Sequence, residues 1–123
     1  MSISICKRFR FDAAHSLPYY KGKCANLHGH SFLLDVEVSG QVQDQGEKIG
    51  MIVDFADLKA LVNDAVIDRV DHIYLNDHIK NPTAETLVEL FVHRLDKLMF
   101  ANNLELERLR LYETEDSYAE WRR

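Results

Sequence analysis

His28-Gly29-His30-Ser31-Phe32-Leu33-Leu34-Asp35-Val36-Glu37-Val38-Ser39 decides the fold, because its residues alternate in character one by one. His28, His30, Phe32, Leu34, Val36 and Val38 share one face of an extended chain, and Asp35, Glu37 and Ser39 take the other, which is the period of a half-buried strand. The pattern runs on to Val42. The two histidines open the apolar face, and Gly29 leaves the opposite face bare, so both imidazoles can meet one ion. Zinc in catalytic sites takes three protein ligands and keeps a fourth position for water or substrate, and His15 is the natural third. With Cys24, three imidazoles and a thiol fall within sixteen residues. A His-x-His pair alone reads equally well as two polar residues entering a strand. His15 and Cys24 tip that reading toward a metal centre.

Upstream, residues 3 to 13 alternate with Ile3, Ile5, Phe9 and Phe11 on one face, giving a first long strand with His15 just past its end. Ser16 to Leu27 carries Pro18, Gly22, Lys21 and Lys23 and reads as a cationic functional loop that holds Cys24. Downstream, Gln43 to Gly50 is a polar turn and Met51-Ile52-Val53 a short strand, followed by Asp54 as the N-cap of a helix. Leu58, Leu61, Val62, Ala65 and Val66 form that helix's apolar stripe over three to four turns. Pro82 and Thr83 open a second helix with Leu87, Leu90, Phe91, Leu95 and Leu98 facing inward, ended by Asn102-Asn103. Leu104 to Thr114 is a strand whose alternation slips between Leu106 and Leu109, the mark of a bulge, and Ser117 to Arg122 is a last short strand. This order indicates an α+β domain spanning 1–123, an antiparallel sheet with two helices on one face. The other face and the edges stay uncovered, which favours self-association.

At 123 residues with a formal charge of −5 and a pI near 5.6, the chain lacks the basic footprint that nucleic acid or an anionic membrane rewards. No stretch approaches the apolar length of a signal peptide core or a membrane span, so a cytoplasmic location is expected. A reducing compartment disfavours pairing Cys6 with Cys24, and Cys6, within a strand pattern, reads as a structural thiol.

Lysines beside Cys24 and a nearby metal favour the thiolate, so Cys24 can serve as base or nucleophile. The rival reading makes it the fourth ligand of a closed structural zinc site. Asp71 can orient His72 and support its protonated form, although such dipeptides are usually solvated loop residues, as His78 and His93 are read to be. Glu113 shares a strand face with Leu109 and Leu111, where a carboxylate needs a partner such as paired N–H donors, unless it simply reaches solvent. Glu85 can complement a helix dipole.

Several motifs agree in order and spacing: Phe11-Asp12-Ala13-Ala14-His15, Cys24-Ala25-Asn26-Leu27-His28-Gly29-His30, Gly50-Met51-Ile52-Val53-Asp54-Phe55, Asp71-His72, Asn81-Pro82-Thr83-Ala84-Glu85 and Tyr112-Glu113-Thr114. Over nearly its whole length the chain resembles the 6-pyruvoyl-tetrahydropterin synthase family of tunnelling-fold enzymes. Three residues between cysteine and His-Gly-His resemble the bacterial 6-carboxytetrahydropterin synthase branch of the queuosine pathway. A folate-linked branch carries glutamate at the cysteine position, which this chain does not. The resemblance implies Zn²⁺ on His15, His28 and His30, proton transfer by Cys24, Asp71 and His72, and pterin recognition by Glu113 with Thr83 and Glu85 lining the pocket. It implies 7,8-dihydroneopterin triphosphate as substrate, giving 6-carboxytetrahydropterin, acetaldehyde and triphosphate. A 6-pyruvoyl product or a non-catalytic zinc module are the alternatives. Lys21, Lys23, Arg8 and Arg10 are candidates for the triphosphate. A homo-oligomer is also implied, a trimer or a dimer of trimers, in which the sheets join into a barrel and the sites lie between subunits.

Overall fold

β1 (Ser4–His15) and β2 (His28–Ser39) pair antiparallel along their whole length in the computed structural model, which describes residues 2–123. β3 (Glu105–Thr114) adds to β2 and β4 (Ser117–Arg122) to β3, so the four-stranded antiparallel sheet follows chain order, with β1 and β4 at its edges. Between β2 and β3 the chain makes its helices: α1 (Phe55–Val62), a π-helical turn (Asn63–Ile67), α2 (Asp68–Val70) and α3 (Ala84–Ala101). The expected α+β architecture is therefore present. Phe9, Phe11, Phe32, Leu34, Val36, Leu106, Leu109 and Leu111 supply the sheet's half of one core, and Leu58, Val62, Leu87, Phe91 and Leu95 the helical half. At its centre Phe11 stacks on Phe32 with ring centroids 4.8 Å apart, and Phe91 meets Phe11 edge-on at 6.0 Å.

Asp54 caps α1 by accepting the Ala56 N–H at 2.8 Å, and Thr83 caps α3 by accepting the Thr86 N–H at 3.1 Å. The first helical segment runs on to Val70, beyond the expected stripe. Its buried positions Leu58, Val62, Val66 and Val70 recur every four residues. Each such step overshoots an α-helical turn by about 40°, and the wider π-helical turn takes up the drift so that all four face the core.

Three local expectations change. β2 stops at Ser39 rather than Val42, and Gly40 after it packs so closely that an added Cβ would lie 3.0 Å from Ile52 Cγ2 and 3.1 Å from Leu104 Cδ2. Met51-Ile52-Val53 is not a strand: Gly46 and Gly50 take φ of +86° and +84°, and Gln43 bonds both Met51 and Gly50 in a closed loop. Cys6 is exposed on the sheet face turned away from the helices, with Sγ 3.6 Å from Arg108 Nη2. The expected bulge does form, where Glu37 pairs Arg108 and Val38 pairs Leu106, leaving Glu107 as the extra residue, which turns both Leu106 and Leu109 inward.

The outer sheet face carries ion pairs. Arg8 grips Asp35 with bonds of 2.7 and 3.0 Å, Arg108 meets Glu37 at 2.9 Å, and Glu120 accepts from Arg110 at 2.6 Å, Arg122 at 2.5 Å and Arg108 at 3.3 Å. Burial pushes the Glu120 carboxyl up, but the hydrogen bonds from Arg110, Arg122 and Arg108 outweigh it and hold it at about 2, against an ordinary 4.5. A carboxylate held low stabilises the fold above its unfolded-state range and loses that contribution as it protonates. The thermal midpoint is therefore expected to fall as pH drops from about 4.5 toward about 2, and less steeply in Glu120→Gln. Parallel melts across that window, with identical slopes in both proteins, would show that Glu120 is not the group responsible.

Candidate active site

The register of β1 on β2 pairs Ala13 with His30 and His15 with His28, so the strand end of each places its histidine on the core face. Alternation puts His28 and His30 together, and the three rings form a triangle with centroids 4.5, 4.8 and 5.0 Å apart. His15 is fully buried and both His15 and His30 touch the Phe32 ring, so the cluster caps the aromatic core. Their ligating nitrogens lie within 4.8 Å of one another.

Hydrogen bonds assign the ring tautomers. His15 Nδ1 sits 2.8 Å from the Pro82 carbonyl and His28 Nδ1 2.7 Å from the Asn26 carbonyl, and a carbonyl can only accept, so each Nδ1 carries the hydrogen. The two Nε2 atoms then face each other at 2.9 Å as lone pairs, an arrangement that calls for a shared cation. His30 Nε2 is buried without a hydrogen-bond partner, 3.5 Å from Glu113 Oε1. Burial holds His30 below the ordinary imidazole range, Glu113 opposing and the other two histidines reinforcing it. Three imidazoles, two oriented through carbonyls behind them, fit a tetrahedral zinc site with one open position.

Glu113 lies at a second register break in β3, where Tyr112 pairs Tyr118 and Thr114 pairs Ser117. Bulges re-aim side chains, and this one sits at the residue that faces the histidines. Cys24 is half-buried in a single 3₁₀ turn (Lys23–Ala25) and is not part of the histidine group. Its carbonyl accepts the Leu17 N–H at 2.9 Å, which folds the loop back on itself. Gly22 precedes the turn, and the exposed Tyr20 ring lies over it, 2.5 Å from where a Cβ would stand.

Asp71 and His72 form a second cluster along the free edge of β1. His72 Nδ1 is 2.9 Å from Asp71 Oδ1, and Asp12 joins them, with ligating atoms of all three within 4.8 Å of one another. His72 has φ of +61°, a left-handed conformation that non-glycine residues adopt only when held there. The chain stays along β1 as far as Asn76, which bonds Ser16 through both its side-chain oxygen at 2.9 Å and its nitrogen at 2.8 Å. Thr83 serves as the cap of α3, and Glu85, exposed in its first turn, lines a groove with Val88, Val92 and Trp121. Lys21 and Lys23 are exposed, whereas Arg8 is engaged by Asp35 and Arg10 bonds Ser31 at 3.0 Å. The carbonyls of Pro82 and Asn26 and the side chain of Asp12 are the contributors that sequence reading did not assign. Asp12 stood within a quoted motif, but backbone acceptors leave no trace in a sequence.

The family model described as 6-pyruvoyl tetrahydropterin synthase matches residues 4–123. A 6-carboxy-5,6,7,8-tetrahydropterin synthase of Haemophilus influenzae is 33% identical over 136 aligned positions, covering 95% of this chain and 96% of that protein. A dihydroneopterin monophosphate aldolase of Pyrococcus furiosus is 36% identical, covering 92% of this chain and 91% of its own. The structure of Caenorhabditis elegans 6-pyruvoyl tetrahydropterin synthase superposes with a TM-score of 0.83 over 100% of this chain and 96% of the other, at 23% identity.

Titration with zinc against a chromophoric chelator is expected to give one tight site per chain. His30→Ala should weaken it by more than the roughly 10–100-fold typical of losing an outer-sphere partner. Cobalt substitution should give a tetrahedral visible spectrum in the parent protein. Unchanged affinity in His30→Ala would remove that residue from the ligand set.

Proposed function

The chain belongs to the 6-pyruvoyl tetrahydropterin synthase family, and from that premise we propose that it is a 6-carboxy-5,6,7,8-tetrahydropterin synthase of queuosine biosynthesis. Its substrates are then 7,8-dihydroneopterin triphosphate and one water, and its products are 6-carboxytetrahydropterin, acetaldehyde and triphosphate. The single observation that carries the metal-dependent reading is the facing pair of His15 and His28 Nε2 atoms beside the unpartnered His30 Nε2. The enzyme is a lyase of pterin substrates by family, and zinc dependence is our proposal.

His15, His28 and His30 would hold the zinc, which when bound supplies a Lewis acid that acidifies the C–H and O–H groups of the substrate side chain. The Pro82 and Asn26 carbonyls keep His15 and His28 turned to present Nε2. Glu113, beside His30, accepts hydrogen bonds from the pterin ring N–H and 2-amino group, and Thr83 and Glu85 complete the pocket. Cys24 withdraws a proton from the side chain, and His72, oriented by Asp71, delivers or takes up protons as triphosphate leaves. Lys21 and Lys23, exposed in the loop that carries Cys24, are the candidates for that triphosphate.

Cys24 belongs to neither cluster, and the Asp71–His72 pair lies on a free sheet edge. These positions support a homo-oligomer, a trimer or a pair of trimers, in which the single domain of one subunit supplies the metal and another completes the proton relay. Among the described residues no helix is long and apolar enough to cross a membrane, and a cytoplasmic location is part of the same proposal.

The likeness to the Pyrococcus furiosus aldolase favours a second reading, in which the chain acts on dihydroneopterin monophosphate. Incubating the zinc-loaded protein with each phosphate ester separates them, with pterin products read by mass and acetaldehyde assayed in parallel. A 6-carboxy product with acetaldehyde from the triphosphate is expected. A 6-pyruvoyl product, or turnover confined to the monophosphate, would reassign the reaction, and two intact substrates would leave a non-catalytic zinc module. Cys24→Ala should lose about 10²- to 10⁴-fold in turnover, the usual contribution of a positioned proton-transfer group, while retaining one zinc per chain. Loss of the metal in that variant would instead make Cys24 a ligand.

A further inference from the structure

We propose that Asp12 is a positioning residue for the Asp71–His72 pair, its main chain fixing the dipeptide on the β1 edge and its carboxylate supporting the charge that His72 carries during proton transfer. The inference rests on the reading of Asp71 and His72 as proton-transfer residues.

Asp12 brackets the dipeptide. Its N–H donates to Asp71 Oδ1 at 2.9 Å, and its carbonyl accepts the His72 N–H at 2.6 Å. The same Asp71 Oδ1 lies 2.9 Å from His72 Nδ1, so one carboxylate oxygen is tied at once to β1 and to the imidazole. These bonds hold His72 at its positive φ while its side chain stays 77% exposed, which leaves the ring pinned at one nitrogen and presented outward at the other. Ala14 N–H to the Ile73 carbonyl, at 3.0 Å, continues the attachment.

The side chain of Asp12 adds what the main chain cannot. Ser31 Oγ, from the cross-strand partner, donates to Asp12 Oδ1 at 2.5 Å, and Arg10 Nη2 stands 3.6 Å away. The Ser31 hydrogen bond holds the Asp12 carboxyl below the usual carboxylate range against burial, with Arg10 and His72 helping. Two carboxylates and an imidazole thus gather within 4.8 Å. Like charges at that separation repel unless a cation stands between them, and an imidazolium formed during turnover supplies it. A purely structural need for the two main-chain bonds could be met by any residue but proline at position 12, so the carboxylate is the part that bears on the relay.

Asp12→Asn tests this directly, because it keeps both main-chain bonds, can still accept from Ser31, and removes only the charge. On zinc-loaded protein with 7,8-dihydroneopterin triphosphate, kcat is expected to fall roughly 5-fold or more, the Boltzmann weight of one charge at this distance in a wet site, with KM and zinc stoichiometry unchanged. Asp12→Glu, which restores the charge, should recover most of the rate. A parent-like kcat in Asp12→Asn, or no recovery in a folded Asp12→Glu, would overturn the inference. His72→Ala run alongside separates the two levels: lost turnover there with a fully active Asp12→Asn sinks the role of Asp12 alone, whereas full turnover in His72→Ala sinks the proton-transfer reading on which it rests.

Discussion

The pairing of β1 with β2 in one register is the constraint on which the rest of the molecule depends. With Phe11 opposite Phe32, the same alternation that buries the phenylalanines carries on to Ala13 opposite His30 and His15 opposite His28. The side-chain period of a strand is two, so a slip of one residue would turn the whole apolar set to solvent and scatter the histidines across both faces. Burial of the aromatic core therefore sets the geometry of the candidate metal site as a by-product. The stacked Phe11 and Phe32 rings and the His30–Phe32 and His15–Phe32 contacts make the hydrophobic core and the imidazole cluster one continuous packing problem.

The same strand serves the second cluster by its other valence. β1 spends one edge on β2 and offers the other, at Asp12 and Ala14, to Asp71, His72 and Ile73. A sheet edge normally invites another chain, and here half of it is occupied by a segment that holds an exposed imidazole in a strained conformation. One strand thus fixes a candidate metal ligand on its inner face and a candidate proton carrier along its rim. Displacing β1 would disturb both, which ties the chemistry of the two groups to the stability of the sheet.

Register breaks do comparable work in β3. The extra residue at Glu107 lets Leu106 and Leu109 both face the helices, and the break beside Tyr112 coincides with Glu113, whose carboxylate reaches toward His30. On the far face the strands are covered by arginine–carboxylate pairs rather than by apolar packing, with Asp35 buried under Arg8 and Glu120 shared among three arginines. A charged outer face and a groove along α3 and β4 that mixes Val88, Val92 and Trp121 with charged side chains give the molecule two chemically different surfaces.

Much of this was legible in the chain itself. Period-two alternation marked β1 and β2, the helical stripes marked the layer that covers them, and the slip between Leu106 and Leu109 in a strand-like stretch marked the bulge of β3, because each of these follows from local geometry and the need to bury apolar faces. The spacing of His15, His28 and His30 announced, for the same reason, the cluster that the structure brings together. The four-residue recurrence of Leu58, Val62, Val66 and Val70 also encoded the π-helical turn, though an α-helical template absorbs such a signal without notice. What only the tertiary structure decided are contacts between backbone atoms and residues far apart in sequence. The Pro82 and Asn26 carbonyls that orient the imidazoles, the closure of residues 43–51 into a loop instead of a strand, and the seating of His72 on Asp12 across fifty-nine and sixty positions of chain depend on where the main chain comes to lie. Every residue but proline carries the same N–H and every residue the same C=O, so side-chain identity cannot reveal which of them will meet.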